Sequence, residues 1–402
     1  MDLDSKPRKI LAFDGGPSAL VYIRVIQKME EQFPGFLDKV DLFAGTSFGG
    51  LLSLKLAVLL ADNVPAARAI QETIDFADDF VDLFKMTPTG LLRMASGFLP
   101  MISSQGILDF LEMHFSRPDE NEPGKRRLLT MSDLDDKKKV AVSAFDLNIG
   151  ELRTYDSFER LGGNRTLLSV ALACCSVPVF MPFLKPAGDD SDPIVDGGFG
   201  ANSGAMPALS AALRDARRDG IGAGALLPYV SLLSMGCQTT DAPVRIPLIS
   251  NLLDWADARD LIGKEREVPD GNSLRSIGWF FLLRNNVKLA LALLENTQAL
   301  DWQYANDLLD ARRYHRMEPG LEVLKLIWWM LTDKKHLIDE ARRFANDYWS
   351  KQLTRYAVWK EPKPGEPPPA LHGDDQLACW ISWYWVREQK PAQICPCCRR
   401  AA

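Results

Sequence analysis

The run Val40-Asp41-Leu42-Phe43-Ala44-Gly45-Thr46-Ser47-Phe48-Gly49-Gly50-Leu51-Leu52 is the feature that most limits what this chain can fold into. A short apolar stretch meets Gly45, Ser47 stands at the apex, and two more glycines lead into a long apolar segment. Glycines two positions before and after the serine let the backbone turn sharply without a Cβ clash. The pattern therefore predicts a buried strand that bends abruptly into a buried helix, with Ser47 at the bend. The free N–H groups at the start of that helix, and the positive end of its dipole, would point back at the serine oxygen. A strand, a glycine turn and a helix in this order make a nucleophile elbow, so Ser47 is a candidate nucleophile. The bland alternative is an ordinary glycine-serine turn.

Around this elbow the chain reads as α/β. Lys9–Phe13 is apolar enough for a strand buried on both faces. It ends on Asp14-Gly15-Gly16-Pro17-Ser18, a loop of turn-formers. Leu20, Ile23, Ile26 and Met29 then recur at helical spacing as far as about Gln32. Strand, glycine loop, helix and strand form one βαβ unit of a parallel sheet, and Ser47 falls at a strand's carboxyl end, where open α/β sheets place their ligands. Further strands are expected at Val140–Phe145, with Leu152–Tyr155 as a hairpin arm beside it, at Ile194-Val195-Asp196 and at Val230–Gly236. Helices are expected from Asn164 to about Ser176 and from Pro207 to Arg218, the latter with a proline suited to a first turn. Residues 62–127 read either as a helical lid or as crossover helices with long loops. After Gln238 nearly everything looks helical. Glu361–Pro369 reads as a stiff Pro-rich linker, followed by a segment carrying Trp380, Trp383 and Trp385. The expected organisation is a mostly parallel central sheet flanked by helices over residues 8–350, with residues 240–350 as its helical C-terminal part and 351–402 as linker and tail.

Composition excludes several classes. The chain has 402 residues, 47% of them hydrophobic, which is ample for a packed core. A net charge of −6 predicts no attraction to nucleic acid. The N-terminus lacks an apolar signal-like run, and Leu51–Ala61 is too short to span a bilayer and holds Lys55. Seven scattered cysteines, an odd number, point to reduced thiols. The expectation is a soluble, cytoplasmic protein. Cys395-Pro396-Cys397-Cys398 has no second ligand pair at zinc-ribbon spacing and reads as free thiols in a tail.

A serine hydroxyl needs a base in contact and donors for the oxyanion it creates. The Phe48 N–H, at the helix start, and the N–H groups of Gly15 and Gly16 are candidate donors. The base is less obvious. None of the four histidines, His114, His315, His336 and His372, follows an expected core strand directly. Asp196 does, in the context Asp196-Gly197-Gly198, on the same edge of the sheet as Ser47. A residue of that kind is equally at home as an Asx-turn opening the next segment.

Taken in order, three blocks resemble the patatin-like phospholipase family. Asp14-Gly15-Gly16 is similar to the start of its glycine-rich oxyanion loop, Gly45-Thr46-Ser47-Phe48-Gly49-Gly50 to its nucleophile elbow, and Asp196-Gly197-Gly198, with Asn202 downstream, to its Asp-Gly-Gly block. Ala173–Pro182, Ser231–Gly236 and Tyr314-His315-Arg316-Met317 also resemble family segments. The resemblance implies a lipid acyl hydrolase with a Ser–Asp dyad, in which Ser47 attacks the ester carbonyl and Asp196 accepts its proton and later activates water. It implies no histidine, no metal and no cofactor, a lipid or acyl-ester substrate, and transient membrane contact.

The sequence departs from the family in the oxyanion loop, where Pro17 and Leu20 stand in place of glycines and Ala19 in place of a basic residue. Proline has no N–H to donate and fixes φ, and losing one oxyanion donor costs about 10²–10³ in rate. A patatin-fold protein that binds lipid without turnover is therefore the alternative reading. A Ser47–Asp196–His315 hydrolase is a third, since those residues occur in that chain order. Trp279–Leu283 is the candidate membrane-contact segment, with a buried helix as the plainer reading.

Overall fold

A computed structural model of the chain describes residues 8–84, 104–120, 122–134, 138–147, 149–158, 165–177, 181, 194–236, 303–309, 313–318, 320–321, 323–359, 371 and 376–386. Seven strands form the central sheet: β1 (Lys9–Phe13), β2 (Leu42–Thr46), β5 (Lys139–Asp146), β6 (Glu151–Asp156), β7 (Ile194–Asp196), β8 (Ser231–Met235) and β9 (Tyr314–Met317). Two more, β3 (Ser116–Pro118) and β4 (Arg126–Leu128), make a separate antiparallel hairpin. The order across the main sheet is β6-β5-β2-β1-β8-β9, with β7 paired to β5. The pairs from β5 through β9 on this path are parallel, while β6 and β7 run antiparallel to β5.

Side-chain alternation explains why β1 is apolar throughout. Leu11 and Phe13 enter one core and Ile10 and Ala12 the other, so both faces of the strand are covered. On the first face lie α1 (Ala19–Gln32), α2 (Ser47–Ala61), α3 (Ala66–Asp82) and α5 (Leu167–Cys175). On the second lies α6 (Ala205–Arg218), whose alanines bring it close to the strands. This is the three-layer α/β arrangement expected from the sequence. All fifteen residues of α2 are buried, including Lys55, as befits a helix that is apolar all round.

In residues 62–127, α3 packs on α1 and α2 and buries Ile70, Ile74, Ala77 and Phe80. It belongs to the helical layer, and α4 (Ser104–His114) packs beside α5. Residues 85–103 lie outside the described set.

The C-terminal part departs from an all-helical reading in one place. Tyr314–Met317 is a strand, β9, at the sheet edge beside β8. Helices α7 (Val323–Thr332) and α8 (Lys334–Val358) follow, so α8 runs across the boundary drawn at residue 351. The tryptophan segment also packs into the core. Trp385 stacks on Phe36 with centroids 5.3 Å apart and donates its indole N–H to the Phe36 carbonyl at 3.2 Å. Trp380 sits 5.4 Å from the His315 ring. Large aromatics provide enough burial to dock a short segment. Among the described residues no helix is long and apolar enough to cross a membrane. The candidate contact segment Trp279–Leu283, the helices expected between residues 247 and 295, the Pro-rich linker and Cys395–Cys398 all fall outside the described residues.

Candidate active site

The elbow forms as the pattern predicts. Strand β2 ends at Thr46 and α2 begins at Ser47. Ser47 has φ +54°, one of two non-glycine residues in the left-handed region among the described residues. That conformation costs a residue with a Cβ about 1–2 kcal/mol, so the surrounding packing must hold it. The glycines show how. A Cβ on Gly45 would stand 2.5 Å from the Gly49 carbonyl, one on Gly49 would strike the Asp14 carbonyl oxygen, and one on Gly50 would strike the Cys174 sulfur. Gly45 and Gly49 are demanded by close approach of backbone to backbone, and Gly50 by the Cys174 side chain. Thr46 Oγ1 donates to the Ala201 carbonyl at 2.9 Å, and the Cys174 thiol donates to the Ser47 carbonyl at 3.4 Å. The Phe48 N–H lies in the first turn of α2, where a helix leaves its amides unpaired.

Asp196 reaches the same point by a different route. Strand β6 occupies one edge of β5 along Ala141–Asp146, so β2 and β7 must share the other. They abut there: Thr46 pairs with Ser143, and Asp196 with the next residue, Ala144. The last residue of β7 is thus set beside the last residue of β2. A Cβ on Gly197 would strike the Ser143 carbonyl, so this close seating needs a glycine.

Asp196 does make the Asx-type turn considered from the sequence, with Oδ1 accepting the Gly198 N–H at 2.8 Å. Its Oδ2 is buried without a hydrogen bond of normal geometry. Burial raises the Asp196 pKa from its ordinary 3.8 to about 6, while the nearby Ser47 hydroxyl and the Gly198 amide pull it down. The Ser47 hydroxyl is thus near enough to act on the carboxylate but short of an aligned contact.

The loop after β1 is arranged differently from expectation. Gly15 does not present its N–H to Ser47; it donates to the Asn202 carbonyl at 3.0 Å. Gly16 has φ +98° and lines the site, as does Pro17. Leu20 is fully buried in the core. The loop is anchored by Asp14, whose buried carboxylate meets Arg316 of β9, with Nη2–Oδ2 at 2.8 Å and Nη1–Oδ1 at 3.5 Å. Arg316 also donates to Ser234 Oγ at 2.9 Å and to Glu318 at 2.5 Å. The position of Gly236 leaves room for the guanidinium, which a Cβ there would strike.

A cavity of about 180 Å³ opens onto Ser47 and Asp196. Its walls include Phe48, Phe80 and Phe84, with Ile327 and Met330 contributed by α7. Nothing local in the sequence marks this wall, because α3 and α7 are more than two hundred residues apart in the chain. Cys175 also faces the cavity. Both it and Cys174 are buried free thiols whose pKa burial raises, so they are inert at neutral pH.

Among the described residues no histidine lines the cavity. His315 is on β9, three strands from β2, or roughly 14 Å at the usual strand spacing. His114 lies 3.4 Å from Lys55 Nζ, and burial together with Lys55 lowers its pKa to about 4. His336 packs against Trp329.

A parallel α/β sheet whose second strand turns through a strained serine into a buried helix, beside a carboxylate on the same edge, defines a class of fold and site. Residues 11–209 match the family model Patatin-like phospholipase, and the chain belongs to that family through this domain. The crystal structure of VipD from Legionella pneumophila aligns over 87% of this chain and 76% of its own, at 12% identity and a TM-score of 0.32, a likeness that supports no argument. No curated protein is a significant sequence match.

Proposed function

We propose that the chain is a serine lipid acyl hydrolase, an esterase or phospholipase, in which Ser47 is the nucleophile and Asp196 the base. The observation that carries the reading is the abutment of β2 and β7 on one edge of β5, which brings a strained serine and a buried carboxylate to the mouth of an apolar cavity. Asp196 takes the Ser47 proton as Oγ attacks the ester carbonyl. The proton then passes to the departing alcohol, leaving an acyl-serine. Asp196 next accepts a proton from water, which attacks the acyl group, and passes it to Ser47 Oγ as the acyl–serine bond breaks and the fatty acid leaves. A base with pKa about 6 is mostly ionised at neutral pH yet still basic enough to accept a proton, the range that suits general base catalysis. Phe80, Phe84, Ile327 and Met330 offer an acyl chain an apolar surface. The chemistry asks for no metal or cofactor. The membrane contact that a lipid substrate requires would be transient.

The test is hydrolysis of short-chain aryl esters and phospholipid vesicles by the wild type, Ser47→Ala and Asp196→Asn. Both variants should lose at least about 10³ in kcat. Equal activity in all three would end the proposal.

One observation favours a second reading, a lipid-binding protein without turnover: the Gly15 N–H is committed to Asn202, and Pro17 has none. That reading expects Ser47 to resist a fluorophosphonate probe. A stoichiometric Ser47 adduct counts against it.

A further inference from the structure

A serine hydrolase must place hydrogen-bond donors beside the carbonyl carbon that its serine attacks. Here the loop that should carry them is depleted, leaving Gly16 and Phe48 as the main-chain candidates. We infer that the side-chain amide of Asn202 supplies the missing oxyanion donor, an inference that rests on the acyl hydrolase reading above.

Asn202 lines the same cavity as Ser47, Asp196 and Gly16. Its Oδ1 lies 2.5 Å from the point where a Gly15 Cβ would stand, and the Ser47 Cβ lies 3.0 Å from that same point. The amide and the nucleophile therefore meet over the bare Cα of Gly15. With Oδ1 against Gly15, the two N–H groups on Nδ2 occupy the other corner of the planar group. No hydrogen bond to a described residue occupies them.

The backbone around Asn202 is fixed on both sides. Its own carbonyl accepts the Gly15 N–H at 3.0 Å, and the Ala201 carbonyl accepts Thr46 Oγ1 at 2.9 Å. The first bond ties Asn202 to the loop after β1, and the second to the residue preceding Ser47. A donor carried by such a frame needs little reorganisation as charge develops, which is what makes oxyanion donors effective. The bond that consumes the Gly15 N–H is thus the one that positions its replacement.

An amide also suits the neighbouring base. A lysine or arginine at this position would pair with Asp196, which has a bare Oδ2, and would lower its pKa and its basicity. A carboxamide donates without charge and leaves Asp196 as strong a base as its burial makes it. Leaving Gly15 without a Cβ is what gives the side chain room, so Gly15 acts as a spacer.

The experiment compares wild type, Asn202→Ala and Asn202→Asp, using p-nitrophenyl butyrate as substrate and an alkylboronic acid as a tetrahedral mimic. Asn202→Ala should lower kcat by about 10²–10³, with KM within threefold of wild type and the boronate inhibition constant raised by a similar factor. Asn202→Asp keeps an oxygen against Gly15 but, once ionised, only accepts hydrogen bonds, and it should not recover activity. In uniformly ¹⁵N-labelled wild type, the Asn202 side-chain amide protons should move downfield when a fluorophosphonate modifies Ser47, a response that a merely propping side chain would not give. Either variant retaining kcat within threefold, or unmoved amide resonances on the modified protein, overturns the assignment while leaving the hydrolase reading intact. Wild type no faster than Ser47→Ala, with no phosphonate adduct, overturns both.

Discussion

The turns after β1 and β2 leave adjacent parallel strands at the same end of the sheet, and both are rich in glycine, yet they are held in opposite ways. The elbow after β2 is held by close contacts at its glycines: Gly45 against the Gly49 backbone, Gly49 against the Asp14 carbonyl, Gly50 against the Cys174 sulfur. Its shape follows from the absence of side chains. The turn after β1 is held by long side chains and distant partners, through the Asp14–Arg316 ion pair and the Asn202 carbonyl. A Cβ on Gly16 meets nothing nearer than Ser18 Oγ at 4.0 Å. The elbow therefore has one shape open to it, whereas the other turn takes its shape from what anchors it. Substitutions such as Pro17 and Leu20 are tolerable in the second kind of turn and would be ruinous in the first.

This contrast can be broken by experiment, and the largest effect should come from the ion pair. Arg316→Met should destabilise the fold by about 3–5 kcal/mol, because it strands a buried carboxylate. The double variant Asp14→Asn/Arg316→Met should recover much of that loss. Urea denaturation of the single and double variants measures both, and full stability of Arg316→Met would mean that the loop has another anchor.

Next comes the cost of burying the Asp196 carboxylate. The folded pKa of Asp196, about 6, lies above its ordinary 3.8, so the folded state holds the proton more tightly than the unfolded one. That stabilisation is complete below about pH 4 and is lost as pH rises through 6. A shift of about two units corresponds to about 3 kcal/mol. Asp196→Asn should therefore match the wild type at pH 4 and exceed it by up to about 3 kcal/mol at pH 8, and on the proposed mechanism the wild type's kcat/KM should fall below about pH 6 as Asp196 protonates. Parallel stability curves for the two proteins would refute the assigned shift.

The two turns should then differ under alanine. Gly45→Ala, which forces a Cβ onto the Gly49 backbone, should cost about 1–3 kcal/mol or more and abolish phosphonate labelling. Gly16→Ala has space and is opposed only by its positive φ, so it should cost about 1–2 kcal/mol and leave Ser47 reactive. Thermal melts and labelling rates separate the two. The smallest effect belongs to a site remote from both turns: Thr166→Ala, which removes the side chain that accepts the Ser169 N–H at the start of α5, should cost about 1 kcal/mol and leave labelling unchanged.

The same contrast accounts for what could be read from the sequence. The elbow was legible because its constraint is local: each glycine clashes with an atom a few residues away or in a packed neighbour, and only one residue type satisfies it. Asp196 was legible because Gly197 and Gly198 mark its turn, and the βαβ unit followed from β1, α1 and β2. The anchor at Arg316 was not. A short run containing His315 and Arg316 gives no strand pattern alone, and its charge makes sense only beside Asp14, three hundred residues earlier. The cavity wall has the same difficulty, since Phe80 of α3, Phe84 just past its end, and Ile327 and Met330 of α7 are ordinary apolar residues until the fold brings them together. The tryptophans after residue 376 read as a tail because a break in composition precedes them, yet Phe36 and His315 give them a place in the core.

The way β2 and β7 meet along β5 has a consequence for how such a chain can change. The spacing between Ser47 and Asp196 is measured off by a single peptide step, Ser143 to Ala144, as if along a ruler. Insertions and deletions between the two, in the hairpin to β6 or before β7, alter the length of the tape but not the mark where it is read. The serine and the aspartate can keep their distance while the chain between is lengthened, shortened or given new contacts. A single residue added within β5 itself, at that step, would separate them.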